Sequence, residues 1–366
     1  MSSFTFSSEP HRRFALWLLA LVVLPVAGLF ALGIYLQPLY GDLTRIGYFS
    51  EREFGWKNPQ VIFPNTQLDF TASPADSDRH YDILVLGDSF SRARPKFQWQ
   101  NYLSAATHES VDTMDINEIR LSEILASREF REHPPRVLIL ESVERMLPSH
   151  VKENIQSCGK IPLHIHKPDA NPAFAPIPDW KNHLVDTTQR LERGAQWGQI
   201  NPSYAWEYLI HKLSAGDSHP SVYKMELTRP APFSSRNQVA LLVYHDDLEK
   251  IKWWRDLGLP EMSCRIEAMR SQVEANGYTR FVLMVPPDKL TAYADFLRDA
   301  KLKNASLLSS LSDLHSDIMP RFDKALISTI HAGEQDVYFP DDTHWASNGQ
   351  RIAAETLISF LICPVP

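Results

Sequence analysis

Two short stretches carry the residue types that make a nucleophile and its base. GDSFS, residues 87–91, follows the apolar run YDILVL, and YFPDDTHWASNG, residues 338–349, holds Asp341, Asp342 and His344 within four positions. A serine becomes a nucleophile when a base takes its proton, and the base works best when a carboxylate orients it. Ser89 stands where this chemistry needs it, at the carboxyl end of an apolar strand, outside which open α/β sheets bind their ligands. Gly87 permits the turn, and the Ser89 backbone N–H is a donor for a developing oxyanion. His344 is the base, with Asp342 or Asp341 turned onto its ring. Asp341, Asp342 and His344 could instead ligate a metal, but no second cluster of matching spacing accompanies them. The nucleophile-elbow pattern GxSxG is not met, because residue 91 is serine.

Around these motifs the chain reads as a parallel α/β sheet. Tyr81–Leu86, Arg136–Ser142 and Phe281–Val285 are apolar runs of strand length, as expected for strands covered on both faces, and Ser110–Ile116 resembles a further strand. Helical spacing separates them at Phe97–Ala106 and Leu121–Phe130, and the alternation argues for a doubly covered sheet. Glu261–Asn276 places Met262, Ile266, Met269 and Val273 on one helical face, with Gly277 positioned to cap it. Pro286-Pro287 stops the strand before it. Val337–Phe339 reads as a short strand, and Ser347 to Gln350 as a capping box opening the last helix. Residues 148–235, rich in proline and histidine, break the rhythm and read as an insertion.

The amino terminus sets the compartment. His11-Arg12-Arg13 precedes an apolar stretch, Phe14–Leu36, which would span about 35 Å as a helix, enough for a hydrocarbon core of about 30 Å. No Lys or Arg follows until Arg45, so residues 1–13 are expected in the cytoplasm and the rest outside. A cleaved signal peptide with its site near Ala31-Leu32-Gly33 is the rival reading, and it also exports the chain. Residues 37–80 read as an arm leading into a globular domain at 81–366. The net charge of -7 excludes the basic footprint of a nucleic-acid binder. Cys158, Cys264 and Cys363 form no CxxC pair and permit one internal disulfide plus a free thiol, with the pairing open.

A GDS serine after the first strand and an Asp/His loop before the last helix resemble the SGNH (GDSL-like) hydrolase superfamily. The resemblance implies a three-layer α/β/α fold with Ser89 as nucleophile and His344 as base. The DxxH pattern of that superfamily selects Asp341. DTHW, residues 342–345, looks like the motif of the alginate and related exopolysaccharide O-acetyltransferases and selects Asp342, the preferred assignment. ESVERML (141–147) and VPPDKL (285–290) are similar to segments of the same acetyltransferases. The order differs: in the alginate enzymes DTHW precedes the serine, whereas here the serine comes first. No GxND segment supplies a second oxyanion donor. Arg145 is a substitute for it, unless it is held in an ion pair with Glu141 or Glu144.

Three other groups carry alternatives. His164 and His166 could ligate a metal or lie in an exposed loop. Trp253-Trp254 could stack on sugar or pack inside. Lys289 could reach the site or lie on the surface. The expected activity is transfer of an acetyl group through a serine acyl-enzyme to a polysaccharide hydroxyl, without a cofactor. The donor partner that the resemblance implies is a membrane-bound O-acyltransferase. The alternatives are a carbohydrate acetylesterase and a non-catalytic scaffold of an export complex.

Overall fold

The computed structural model describes residues 8–36, 40–73, 80–156, 158, 174, 177–193, 201–214, 218–229, 232–304 and 306–362. Strands β1 (Gln60–Ile62) and β2 (Asp69–Phe70) precede β3 (Ile83–Gly87), β4 (Val111–Asp115) and β5 (Val137–Glu141). Strands β6 (Gln189–Leu191), β7 (Ser218–His219), β8 (Val222–Glu226) and β9 (Ala240–Tyr244) follow, and β10 (Arg280–Met284) returns to the main sheet. That sheet is parallel throughout, in the order β10-β5-β3-β4-β2. Its central strands β3, β5 and β10 are mostly apolar because both faces are covered, whereas β4, VDTMD, buries Asp112 and Thr113 among its apolar residues. Alternate side chains point to opposite sides. Val85, Ile139 and Val282 pack on one side with the helices Trp99–Thr107 and Ser347–Ile362. Leu86, Leu140 and Leu283 pack on the other with Leu121–Ala126, Leu147–Asn154 and Leu259–Val273. The result is the three-layer α/β/α arrangement, preceded by a 29-residue helix, Ser8–Leu36, long and apolar enough to cross a membrane.

Several local expectations give way to tertiary contacts. The helix expected over Leu121–Phe130 breaks at Ser127, whose Oγ accepts from the Phe130 N–H and caps a second helix, Arg128–Glu132. The strand expected at Val337–Phe339 is a single antiparallel bridge, Tyr338 to Trp345. The capping box does not form, because both partners are used elsewhere. Ser347 donates its N–H and Oγ to Gln60 Oε1, each at 3.0 Å, and Gln350 Oε1 accepts from the Trp99 N–H at 2.9 Å. Gly277 does cap, in the left-handed region at φ 70°, after a 3-10 turn extends the helix Leu259–Val273.

The segments that read as irregular carry structure of their own. The 148–235 insertion contains the helices Trp180–Thr187 and Pro202–Ser214 and the hairpin β7–β8, which β9 extends to a three-stranded antiparallel sheet. Residues 40–73 pack on the domain: β2 forms the edge of the main sheet and the short helices Asp42–Gly47 and Glu51–Phe54 lie against the carboxyl-end loops.

Cys158 is bonded to Cys264, which settles the open pairing and ties the start of the insertion to the helix Leu259–Val273 across 106 residues of sequence. Cys363 lies outside the described residues. Closing so long a loop restricts the unfolded chain strongly, so loss of the bond is expected to cost about 2–5 kcal/mol. Thermal unfolding with and without dithiothreitol measures it. The wild type should lose stability on reduction, and a Cys158→Ser/Cys264→Ser double variant should start lower and ignore the reductant.

Candidate active site

β3 ends at Gly87 because nothing larger fits there. A Cβ on Gly87 would lie 2.8 Å from Glu141 Oε2 and 2.9 Å from Ser91 Oγ. The glycine therefore serves close approach of two strand ends, where the sequence suggested only freedom to turn. Asp88 then caps a one-turn helix, Ser89–Arg92, by accepting the Phe90 N–H at 2.9 Å, and its second oxygen accepts the Val143 N–H beyond β5 at 2.8 Å. Beneath the turn the buried Glu141 accepts the Asp88 N–H at 2.9 Å and Ser91 Oγ–H at 2.8 Å. Burial and the Asp88 charge push the Glu141 carboxyl well above the usual range. The turn is thus fixed at both ends, and Ser89 at its apex is exposed.

The second motif forms a tight loop closed by the Tyr338–Trp345 bridge and a 3.0 Å bond from the Phe339 N–H to the His344 carbonyl. His344 packs against Phe90, ring centroids 5.0 Å apart, which sets the imidazole beside the serine turn. Its Nε2 lies 2.8 Å from Ser89 Oγ, and its Nδ1 lies 2.6 Å from Asp342 Oδ1. The three side chains stand in one hydrogen-bonded line, from a buried carboxylate through the imidazole to an exposed hydroxyl. Such a line can remove a proton from a serine as it attacks a carbonyl, and return it to the leaving group.

Of the two aspartates, Asp342 faces the imidazole. Its other oxygen takes Arg94 at 2.6 Å and the Asp42 N–H at 3.4 Å. Burial opposes the charge, but His344 and Arg94 outweigh it and hold the Asp342 carboxyl far below the usual range. Asp341 points the other way, to Arg193 at 3.2 Å. Burial and the Asp342 charge push it up to about 6, against the pull of Arg193 and Arg94. A metal fits poorly. Asp42, Asp342 and His344 do bring ligand atoms within 4.8 Å of one another. Both nitrogens of the imidazole and both oxygens of Asp342 are already engaged, so a cation would have to displace Arg94 or break the serine contact.

Lys289 is neither a surface residue nor near Ser89 Oγ by any described contact. It is buried, and its ammonium donates to the carbonyls of Phe339, Pro340 and Asp342 at 2.8, 2.9 and 3.1 Å. Burial lowers its pKa to about 7, although four aspartates pull the other way. Three carbonyls on one nitrogen call for three N–H donors, which favours the charged form. Lys289→Met should therefore leave buried acceptors unpaired, at a cost of about 3–5 kcal/mol. Differential scanning calorimetry of the variant checks this, and an unchanged melting temperature would remove the lysine from the loop's support.

Arg145 does not pair with Glu141 or Glu144. It is held by Asp288 at 2.6 Å and Asp247 at 3.3 Å, while Glu144 takes Lys250 at 3.0 Å. Arg145 is thus committed to a buried ion network. The Ser89 N–H has no acceptor among the described residues, as an oxyanion donor requires. Trp254 is buried, and its indole N–H donates to the Glu144 carbonyl at 2.9 Å, while Trp253 is half-buried. His164 and His166 lie outside the described residues. Sequence reasoning did not find Arg94, Arg193 or Glu51, which brace the aspartates, because they reach the loop from across the fold.

Residues 244–361 match the family described as SGNH hydrolase-like domain, acetyltransferase AlgX. The matched segment contains Asp342 and His344 and stops short of Ser89. It supports an SGNH-like fold and an acetyltransferase-type function. No curated protein and no solved structure matches the chain.

Proposed function

We propose that this protein is an O-acetyltransferase acting on an extracytoplasmic polysaccharide, with Ser89 as nucleophile, His344 as base and Asp342 as its orienting carboxylate. The observation that carries the reading is the line from Asp342 Oδ1 through His344 to the exposed Ser89 Oγ, at 2.6 and 2.8 Å. His344 Nε2 takes the Ser89 proton while Oγ bonds to the acetyl carbon of the donor. The carbonyl oxygen, now negative, takes the Ser89 N–H. The imidazolium returns the proton to the departing donor group, and Ser89 is left as an acetyl ester. A polysaccharide hydroxyl then gives its proton to His344 and attacks that ester, and Ser89 Oγ leaves and recovers the proton. Asp342 keeps Nδ1 protonated throughout, so Nε2 is free to accept.

The helix Ser8–Leu36, in which Arg12 and Arg13 come just before the apolar stretch, supports an anchor in the cytoplasmic membrane with the domain in the periplasm. Acetyl groups reach that side through a membrane-bound O-acyltransferase in this reading. The purified protein should be incubated with an activated acetyl ester, with and without a glycan acceptor. The Ser89 peptide should gain one acetyl group without acceptor and pass it to the glycan with acceptor. Release of acetate at the same rate in both arms would favour an acetylesterase, and no acetylation of Ser89 in either arm would overturn the acyl-enzyme.

A further inference from the structure

We infer that the helix Pro202–Ser214 lies in the membrane interface and docks the domain on the lipid surface as a second attachment beside the anchor. Trp206, Ile210 and Leu213 are 52%, 40% and 86% exposed. They follow one another at i, i+4 and i+7, so they form one stripe. The opposite face holds Tyr204 and His211, both buried, and Tyr208, which is partly buried. Exposed Glu207 and Lys212 stand outside the stripe. The other exposed large apolar side chains outside the anchor, Leu191, Val239, Tyr278 and Leu314, lie on separate elements and form no such stripe.

Position selects lipid as the occupant. Leu36, Tyr204 and Ala205 form one buried cluster, with Leu29, Leu32, Tyr48 and Tyr208 packed on it, so the helix runs beside the last two turns of the anchor. A hydrocarbon core takes about twenty helical residues, which, counted from Phe14, end near Gly33. Leu29 to Leu36 therefore straddle the outer boundary of the bilayer, and a helix packed on them sits at that depth. Tyr35 and Arg52 mark the same level. The Arg52 guanidinium lies 4.0 Å over the Tyr35 ring and donates to the Tyr35 carbonyl at 2.7 Å. Aromatic and arginine side chains gather at this level of a membrane, with rings among the headgroups and charge toward water. A helix there with an outward apolar stripe has the form of an interfacial amphipathic helix.

The inference rests on the anchor being in a bilayer, and the test reads the two separately. Full-length protein carrying Cys363→Ser would be spin-labelled at Leu213→Cys, at Val22→Cys in the anchor, or at Leu314→Cys, exposed at the end of the helix Leu308–Leu314. Each would be reconstituted in vesicles of phosphatidylethanolamine and phosphatidylglycerol. Collision rates with oxygen, which partitions into lipid, and with a nickel chelate, which stays in water, report depth. Position 213 should show an oxygen-to-nickel ratio several-fold above that at 314, and Trp206→Glu/Ile210→Glu should bring it down to the 314 value. A ratio at 213 equal to that at 314, with 22 still in lipid, overturns the docking and leaves the anchor. A label at 22 in water overturns both. Protection at 213 from both reagents, with spin–spin broadening that grows with protein density, assigns the stripe to a second copy and also overturns it.

Discussion

Ser89→Ala is expected to fold normally and to lose turnover by about 10⁶, the typical cost of removing a triad nucleophile. The fold should survive because the hydroxyl is exposed and its described side-chain bond runs only to His344. An exposed hydroxyl of this kind contributes little to stability. His344→Ala should cost a similar factor, and the double variant little more, because base and nucleophile act as one unit. Initial rates on an acetyl ester, with circular dichroism melts of each variant, test the set. A folded Ser89→Ala protein with wild-type rates would refute the acyl-enzyme. A double variant much slower than either single would mean that the two residues act in separate steps.

Asp342→Asn should lower turnover by about 10⁴, the loss seen when the orienting carboxylate of a triad becomes an amide and the imidazole takes the wrong tautomer. Asp341→Asn should cost far less, since that carboxyl faces Arg193. The reverse ranking would mean that the loop rearranges on binding substrate. The same substitution has an acid signature. Asp342 ionises more readily folded than unfolded, so its contribution to stability is present above the unfolded value of about 3.9 and is lost as pH falls below it. Between pH 5 and pH 2 the wild type should therefore lose stability more steeply than Asp342→Asn, as measured by urea unfolding at each pH.

That Ser89, His344 and one aspartate meet was legible in the sequence because they sit in two local motifs, each bounded by an element that periodicity detects. The strands β3, β5 and β10 of the main sheet were legible because strands covered on both faces are written as nearly continuous apolar runs, whereas the edge strand β2 is only two residues long and left no pattern to read. What braces the site was not legible. Arg94 meets Asp342 across 248 residues, and the Asp42 N–H meets it across 300. Nothing in RAR or GDLT foretells either contact. The choice between Asp341 and Asp342 followed from the resemblance to the DTHW group, while its physical cause is distant: Arg193 draws one carboxyl away and Arg94 fixes the other. The last helix shows the converse failure. Ser347 and Gln350 have the spacing of a capping box, yet Gln60 and Trp99 take their polar groups. Lys289 follows a double proline and looks like a surface residue, but the loop it supports folds over it.

The residues just after the helix Ser8–Leu36 are part of the site's wall. Leu43 donates its N–H to the Asp341 carbonyl at 3.0 Å, Asp42 to the Asp342 carboxylate, and Glu51 holds the Arg193 that faces Asp341. Gly41 lies so close that a Cβ there would overlap the Asp341 carbonyl. This matters for anyone preparing a detergent-free form of the protein. A fragment begun at Tyr81, where the regular pattern of the sequence starts, discards the contacts that Asp42, Leu43 and Glu51 make around both aspartates and the edge strand with them, and the cut that keeps the site whole falls before Tyr40.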